Sequence, residues 1–140
     1  MTQQIKDVMT KQVQCVRKDA TLRAVARVMK EHKIGAVLVT QADGSLLGLV
    51  TDRDLVVRGM ASDRDIDKTQ VGEICSTPPV KLDPTATLDD AVRLMRERTV
   101  RRIPVVADGK PIGIVSIGDL ARAKDPNSLL AQISAAPPNE

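Results

Sequence analysis

Apolar residues fall along this chain in two rhythms, and the order of those rhythms repeats. Leu22, Val25, Ala26 and Met29 stand at helical spacing and predict a helix over 21–33, with Thr21 as its N-cap. Leu88, Ala91, Val92 and Met95 repeat the spacing and predict a helix over 87–98, capped by Thr87. Each is followed by a strand-like run, Ala36-Val37-Leu38-Val39 and Arg102-Ile103-Pro104-Val105-Val106. Asp43-Gly44 and Asp108-Gly109 are hairpin signals, so strands are expected to return over 46–50 and 111–115. Short apolar-bearing turns at 5–9 and 71–75 lead into extended segments near 13–16 and 79–82. Pro104 and Pro111 point to edge strands, or to positions whose N–H is not needed. Each half reads β-α-β-β-α.

The returning strands end in the same motif. Gly48-Leu49-Val50-Thr51-Asp52-Arg53-Asp54 is matched by Gly113-Ile114-Val115-Ser116-Ile117-Gly118-Asp119, and a leucine follows each. An offset of 66 places Thr21-Leu22 on Thr87-Leu88 and Met29 on Met95. One residue is dropped in the turn, after which an offset of 65 places Thr51 on Ser116 and Asp54 on Asp119. A hydroxyl residue followed three positions later by an acid is a capping box that opens a helix. Such a helix start carries free N–H groups and partial positive charge, which suit a phosphate. The acid can accept two hydrogen bonds from a vicinal diol. As a single copy the motif reads most simply as helix stabilisation; two copies in matching contexts favour a site.

Composition narrows the chemistry. The repeated β-α-β-β-α order predicts an α/β (α+β) fold. The 140 residues, 42% hydrophobic and 28% charged, are ordinary for a globular protein, yet Phe, Tyr and Trp are absent. The core must be aliphatic, and no aromatic platform exists for stacking single-stranded nucleic acid. The net charge of +3 suits an anionic small ligand, but the basic residues are scattered rather than gathered in a nucleic-acid arm. The chain opens without an apolar signal region and contains no long apolar span, so a cytoplasmic protein is expected. Cys15 and Cys75 read as small packed hydrophobes, with thiol pairing within or between chains as the alternative. One histidine, His32, and no CxxC argue against a metal site.

Halves of about 65 residues bury too little surface alone, and face-to-face packing with pseudo-two-fold symmetry is the expected solution. The organisation expected is a first repeat over 5–60, a polar linker over 61–70, a second repeat over 71–123, and a partly disordered extension over 124–140. Within that extension 127–134 is expected to form a short helix and 135–140 to fray.

The duplicated unit, the Asp7-Val8-Met9-Thr10 lead-in, the Arg101-Arg102-Ile103-Pro104-Val105 run and both terminal motifs together resemble the cystathionine β-synthase (CBS) domain pair, or Bateman module. The likeness covers roughly residues 5–123, and the chain resembles the small stand-alone bacterial CBS-pair proteins of stress and hypoxia responses. The resemblance implies an energy or metabolite sensor that binds AMP, ADP, ATP, S-adenosylmethionine or NAD in clefts between the repeats. It implies that adenine lies among aliphatic side chains, ribose on the motif Asp and phosphate near the hydroxyl residue. For a first cleft it points to Thr51 and Asp54, with Ile34, Ala36, Thr10 and Val13. For a second it points to Ser116 and Asp119, with Arg102, Ile103, Pro104, Thr77 and Val80. Arg53 and Arg101 are candidate phosphate partners, since guanidinium forks match phosphate oxygens. The first copy has Gly35-Ala36 where the second has Arg101-Arg102, and Arg53 where the second has Gly118, so the two clefts are not equivalent.

The alternative is a ligand-free dimerisation and partner-docking module of a stress response. Its expected interface is apolar positions on the helices at 22–29 and 55–60, and a homodimer is expected on either reading. No nucleophile–base pair or phosphate-binding G-x-x-x-x-G-K-[ST] loop is present, so no catalytic residue and no cofactor are expected.

Overall fold

A computed structural model describes residues 3–77 and 80–136. They form a mixed α/β protein that divides into two compact units, Val13–Pro79 and Met1–Gln12 with Val80–Glu140. The sequence repeats and the packed units are therefore cut differently: each repeat's lead-in belongs to the unit of the other.

In the unit Val13–Pro79, β1 (Cys15–Arg17) pairs in parallel with β2 (Ala36–Thr40), and β2 pairs antiparallel with β3 (Leu46–Thr51), which runs into the single turn α3 (Asp52–Asp54). Between β1 and β2 runs α2 (Leu22–His32), whose Thr21 side chain accepts the Ala24 N–H at 3.2 Å as the predicted N-cap. Lys33 closes the helix in the left-handed region at φ 54°. Leu22, Val25 and Met29 turn inward against Val37, Val39 and Val50. Burying several such side chains contributes about 1.5–3 kcal/mol each, the main force holding helix to sheet. Val71, Ile74 and Cys75 complete this core from the 3-10 turn Val71–Glu73 and the residues after it.

The linker expected over 61–70 is tied down. Leu22 N–H donates to the Thr69 carbonyl at 3.1 Å, and Arg23 N–H to that of Ile66 at 3.0 Å. The Arg23 guanidinium also pairs with Asp67 at 2.5 Å and holds that carboxyl below its ordinary range. These bonds satisfy N–H groups that the first turn of α2 would otherwise leave open.

The other unit repeats the topology. Its α1 (Ile5–Val8) and α4 (Leu88–Arg98) lie on a hairpin of β4 (Arg102–Ala107) and β5 (Lys110–Ser116), which leads into α5 (Ile117–Lys124) and α6 (Leu129–Ala135). Leu82 stands where β1 stands in the first unit, bridging Val105 in parallel. Pro79, expected to begin that extended segment, lies outside the described residues. Thr87 and Asp90 form a capping box whose bonds, the Thr87 N–H foremost, hold the Asp90 carboxyl below its ordinary range. Asp108 and Gly109 both adopt positive φ, 53° and 79°, as a two-residue hairpin turn requires. Ile5 is fully buried among Leu82, Leu88, Ile103 and Val115, which makes the chain's beginning part of this core. The helix expected over 127–134 is α6, capped by Ser128.

Candidate functional site

Each motif is a strand end turning into a helix, and the register of the hairpins sets its neighbours. Ala36 lies opposite Thr51, and Arg102 opposite Ser116. The residue before β2 and the residue before β4 each bond the same turn from behind: Asp52 N–H donates to the Gly35 carbonyl at 3.0 Å, and Ile117 N–H to that of Arg101 at 2.9 Å. Both predicted capping boxes form. Thr51 N–H reaches Asp54 Oδ2 at 2.9 Å and Asp54 N–H reaches Thr51 Oγ1 at 3.2 Å. The corresponding Ser116 and Asp119 distances are 2.9 and 3.1 Å.

Beyond the box the copies diverge. After Asp54 the backbone widens into a π-helical segment, Leu55–Met60, where Ala61 N–H bonds the Val56 carbonyl. Gly59 lies there against Leu22, with no room for a Cβ. Such π turns are frequent at functional sites. Asp54 is half-buried, and among the described residues no donor reaches its Oδ1. Asp119 is 4% exposed and has donors on both oxygens. Its Oδ2 accepts from Ser116 N–H and, at 3.4 Å, from the Thr10 hydroxyl, while Oδ1 accepts from Arg122.

Several expected groupings are corrected by these contacts. Thr10, assigned with Thr51 and Asp54, stands beside Asp119, and its backbone bridges Ile114. Its true counterpart is Ser76, which bridges Leu49 and lies at the offset of 66; Thr77, assigned to the second cleft, follows Ser76 into the unit of the first motif. The reason is the exchanged lead-ins, each of which hydrogen-bonds the returning strand of the other repeat. Val13 and Val80 lie in the units of the motifs they were assigned to. Ile34 packs partly buried at the end of α2, whereas Ile103 is a core residue and Pro104 is buried, so neither side chain is open to a ligand. Arg53 and Arg101 are exposed and Arg102 half-buried, and none makes an ion pair among the described residues. Cys15 is exposed rather than packed; Cys75 is buried, and burial pushes its thiol up.

A polar cavity of about 660 Å³ opens in the first unit, with Arg58, Ser62, Arg64, Glu73, Ser76 and Thr77 on its walls. Arg58 is anchored there by donating to the Ile74 carbonyl at 2.8 Å. Cys75, also on the wall, feels the charge of both Asp54 and Arg58, so the cavity lies near the first motif. Neither Ser76 nor Arg58 was singled out from sequence. The repeat offset could have found Ser76, but Arg58 carries no signal outside the fold.

The CBS domain family model matches residues 5–61 and 71–125. The chain belongs to the CBS domain family. It is 42% identical to the CBS domain-containing protein YhcV of Bacillus subtilis over 84% of this chain and 82% of that one. It is 34% identical to Hypoxic response protein 1 of Mycobacterium tuberculosis, over 93% and 91%. A crystal structure of Hypoxic Response Protein I with two coordinated zinc ions superposes with a TM-score of 0.79 at 36% identity, covering 86% of this chain and 98% of that one. The zinc is a property of that protein; among the described residues here, no three His, Cys, Asp or Glu side chains gather as a metal site. Nor is any helix among them long and apolar enough to cross a membrane. The chain is a CBS pair, and a regulatory module by family.

Proposed function

We propose that this CBS pair binds an adenosine-containing ligand, from AMP, ADP, ATP, S-adenosylmethionine and NAD, and signals its level to an effector protein without a catalytic step. The observation that carries this reading is the Thr51–Asp54 box. One carboxylate oxygen orders the helix start, and the other faces no donor among the described residues. A ribose diol supplies the O–H donors such an oxygen accepts. Among the described residues Arg53, Arg101 and Arg102 remain outside ion pairs, and charge-assisted bonds to phosphate are among the strongest available to them. The cavity walled by Arg58 and Arg64 has the volume of a small-molecule site. Adenine needs no aromatic partner if Val13, Ile34 and Ala36 supply apolar contact.

The absence of aromatic residues makes the test direct, because the protein is nearly transparent from 260 to 280 nm. Purified protein is expected to carry a 260 nm band, or to gain thermal stability with one of those five compounds. Mass spectrometry of denatured material would identify what was bound. Silence in both experiments would overturn the reading.

A second reading, self-association, rests on Val56, Val57 and Met60. They are exposed on the π-helical segment, Met60 by 65%, beside an apolar groove of about 320 Å³. The expected interface shifts accordingly, because Leu22, Val25 and Met29 point into the protein's own core. Light scattering at micromolar concentration is expected to give the mass of two chains; one chain would exclude this interface.

A further inference from the structure

The two motifs share a sequence pattern, yet only one of them is covered. Arg122 donates to Asp119 Oδ1 through Nη2 and to the Ser134 carbonyl through Nη1, the latter at 2.8 Å. Ser134 lies on α6, and α6 lies directly over the start of α5. A Cβ on Gly118 would meet Ser134 Cβ at 2.8 Å and Oγ at 2.5 Å, so a glycine is what allows this approach. Leu130 of α6 lines an apolar groove together with residues of α4 and α5, and Ala131 is 1% exposed. In the first repeat the offset of 65 puts Val57 at the place of Arg122 and Arg53 at the place of Gly118. Among the described residues, Asp54 accordingly has no guanidinium on Oδ1 and no helix over its turn.

We infer that Arg122 and α6 form a latch that closes the second motif, leaving Thr51–Asp54 as the one that takes a diol-bearing ligand. This rests on the adenosine reading above. A diol approaching Asp119 must replace a charge-assisted bond in a site that is 4% exposed, and must leave Arg122 without its carboxylate. A diol approaching Asp54 Oδ1 displaces no donor found among the described residues. Freeing Arg122 and lifting α6 would convert a one-site protein into a two-site one, so the latch gives the chain a built-in means of changing its stoichiometry.

Equilibrium dialysis with AMP, and with ATP as a second probe, tests this on the full chain. The wild type is expected to bind one equivalent per chain, weakened roughly tenfold or more by Asp54→Asn. Arg122→Val, which installs the residue of the first repeat, is expected to bind two. Arg122→Lys keeps a cation on Asp119 and is expected to return to one, which a merely structural role for Arg122 would not produce. The double variant Arg122→Val with Asp54→Asn should retain one tight equivalent. If Arg122→Val does not fold, Arg122→Met, which removes the guanidinium from Asp119 while keeping an unbranched stem, replaces it as the opening variant. Two equivalents in the wild type, or one that ignores Asp54→Asn, would overturn the inference. So would a single wild-type equivalent that the opening variants leave unchanged, with the adenosine reading intact. No binding by any variant would overturn that reading and the latch with it.

Discussion

Gly48→Ala is expected to destabilise the protein by about 3 kcal/mol or more and to lower Tm by about 10 °C. A Cβ at that position would stand 2.2 Å from the Ser76 carbonyl oxygen and 3.1 Å from Cys75 Sγ. The obstacle is backbone that is itself held in place: Ser76 N–H bonds the Leu49 carbonyl at 3.0 Å, and Cys75 is locked in the core of that unit. Relief requires moving the whole 75–77 segment off β3. The matched residue, Gly113, provides the control. A Cβ there meets Met9 Sδ at 2.6 Å and the Thr10 carbonyl at 2.9 Å. The first is a flexible thioether that can turn aside. The second is backbone paired with Ile114, but at 2.9 Å it stands farther off than the Ser76 oxygen at 2.2 Å and needs a smaller shift. Gly113→Ala is therefore expected to cost roughly 1 kcal/mol. Urea melts of the two variants measure the difference. Equal midpoints would show that the 75–77 segment yields as easily as a methionine side chain.

What was legible in the sequence was local. Thr21, Thr87, Thr51 and Ser116 are caps because a hydroxyl oxygen and an N–H three residues on are brought together by the helix start alone. Asp108-Gly109 is a hairpin turn because both residues tolerate positive φ. The repeat offset carried the topology of one half onto the other. What was not legible depends on distant partners. Ile5 and Val71 look alike from their neighbours, and nothing beside them says which core each will join. The exchange of lead-ins then carried Thr10 and Thr77 to the opposite motifs. Ile103 sits in an arginine-led run but belongs to the core, because β4 is covered along most of its length. The π-helical winding after Asp54 brings Gly59 against Leu22, a contact 37 positions apart in sequence that no local pattern announces. Arg122 is matched to Val57 by the offset of 65, but its role needs α6 in place and has no local signal.

Ile5→Ala is the substitution that tests the exchange itself, with an expected cost of about 2–5 kcal/mol. Ile5 is 0% exposed and packs in one cluster with Leu82, Leu88, Ile103, Val105 and Val115, all from the second repeat. Its segment is also bonded there: Ile5 N–H donates to the Ala86 carbonyl at 2.8 Å, and Lys6 N–H to that of Pro84 at 3.0 Å. Removing the side chain leaves a cavity walled by residues some eighty to a hundred and ten positions away. If sequence neighbours formed the units, the damage would fall on β1–β3. Because the lead-in belongs to the other core, hydrogen exchange should instead rise at Val105 and Val115 and stay unchanged at Val37, Val39 and Val50. A loss of protection at Val37 and Val39 with Val105 unaffected would place Ile5 in the wrong core. Cys75→Ala offers the reciprocal case with a smaller group, weakening the first repeat's core from a residue written at the start of the second. Together the pair distinguishes two self-contained repeats from two cores that each borrow their closing segment from the other end of the duplication.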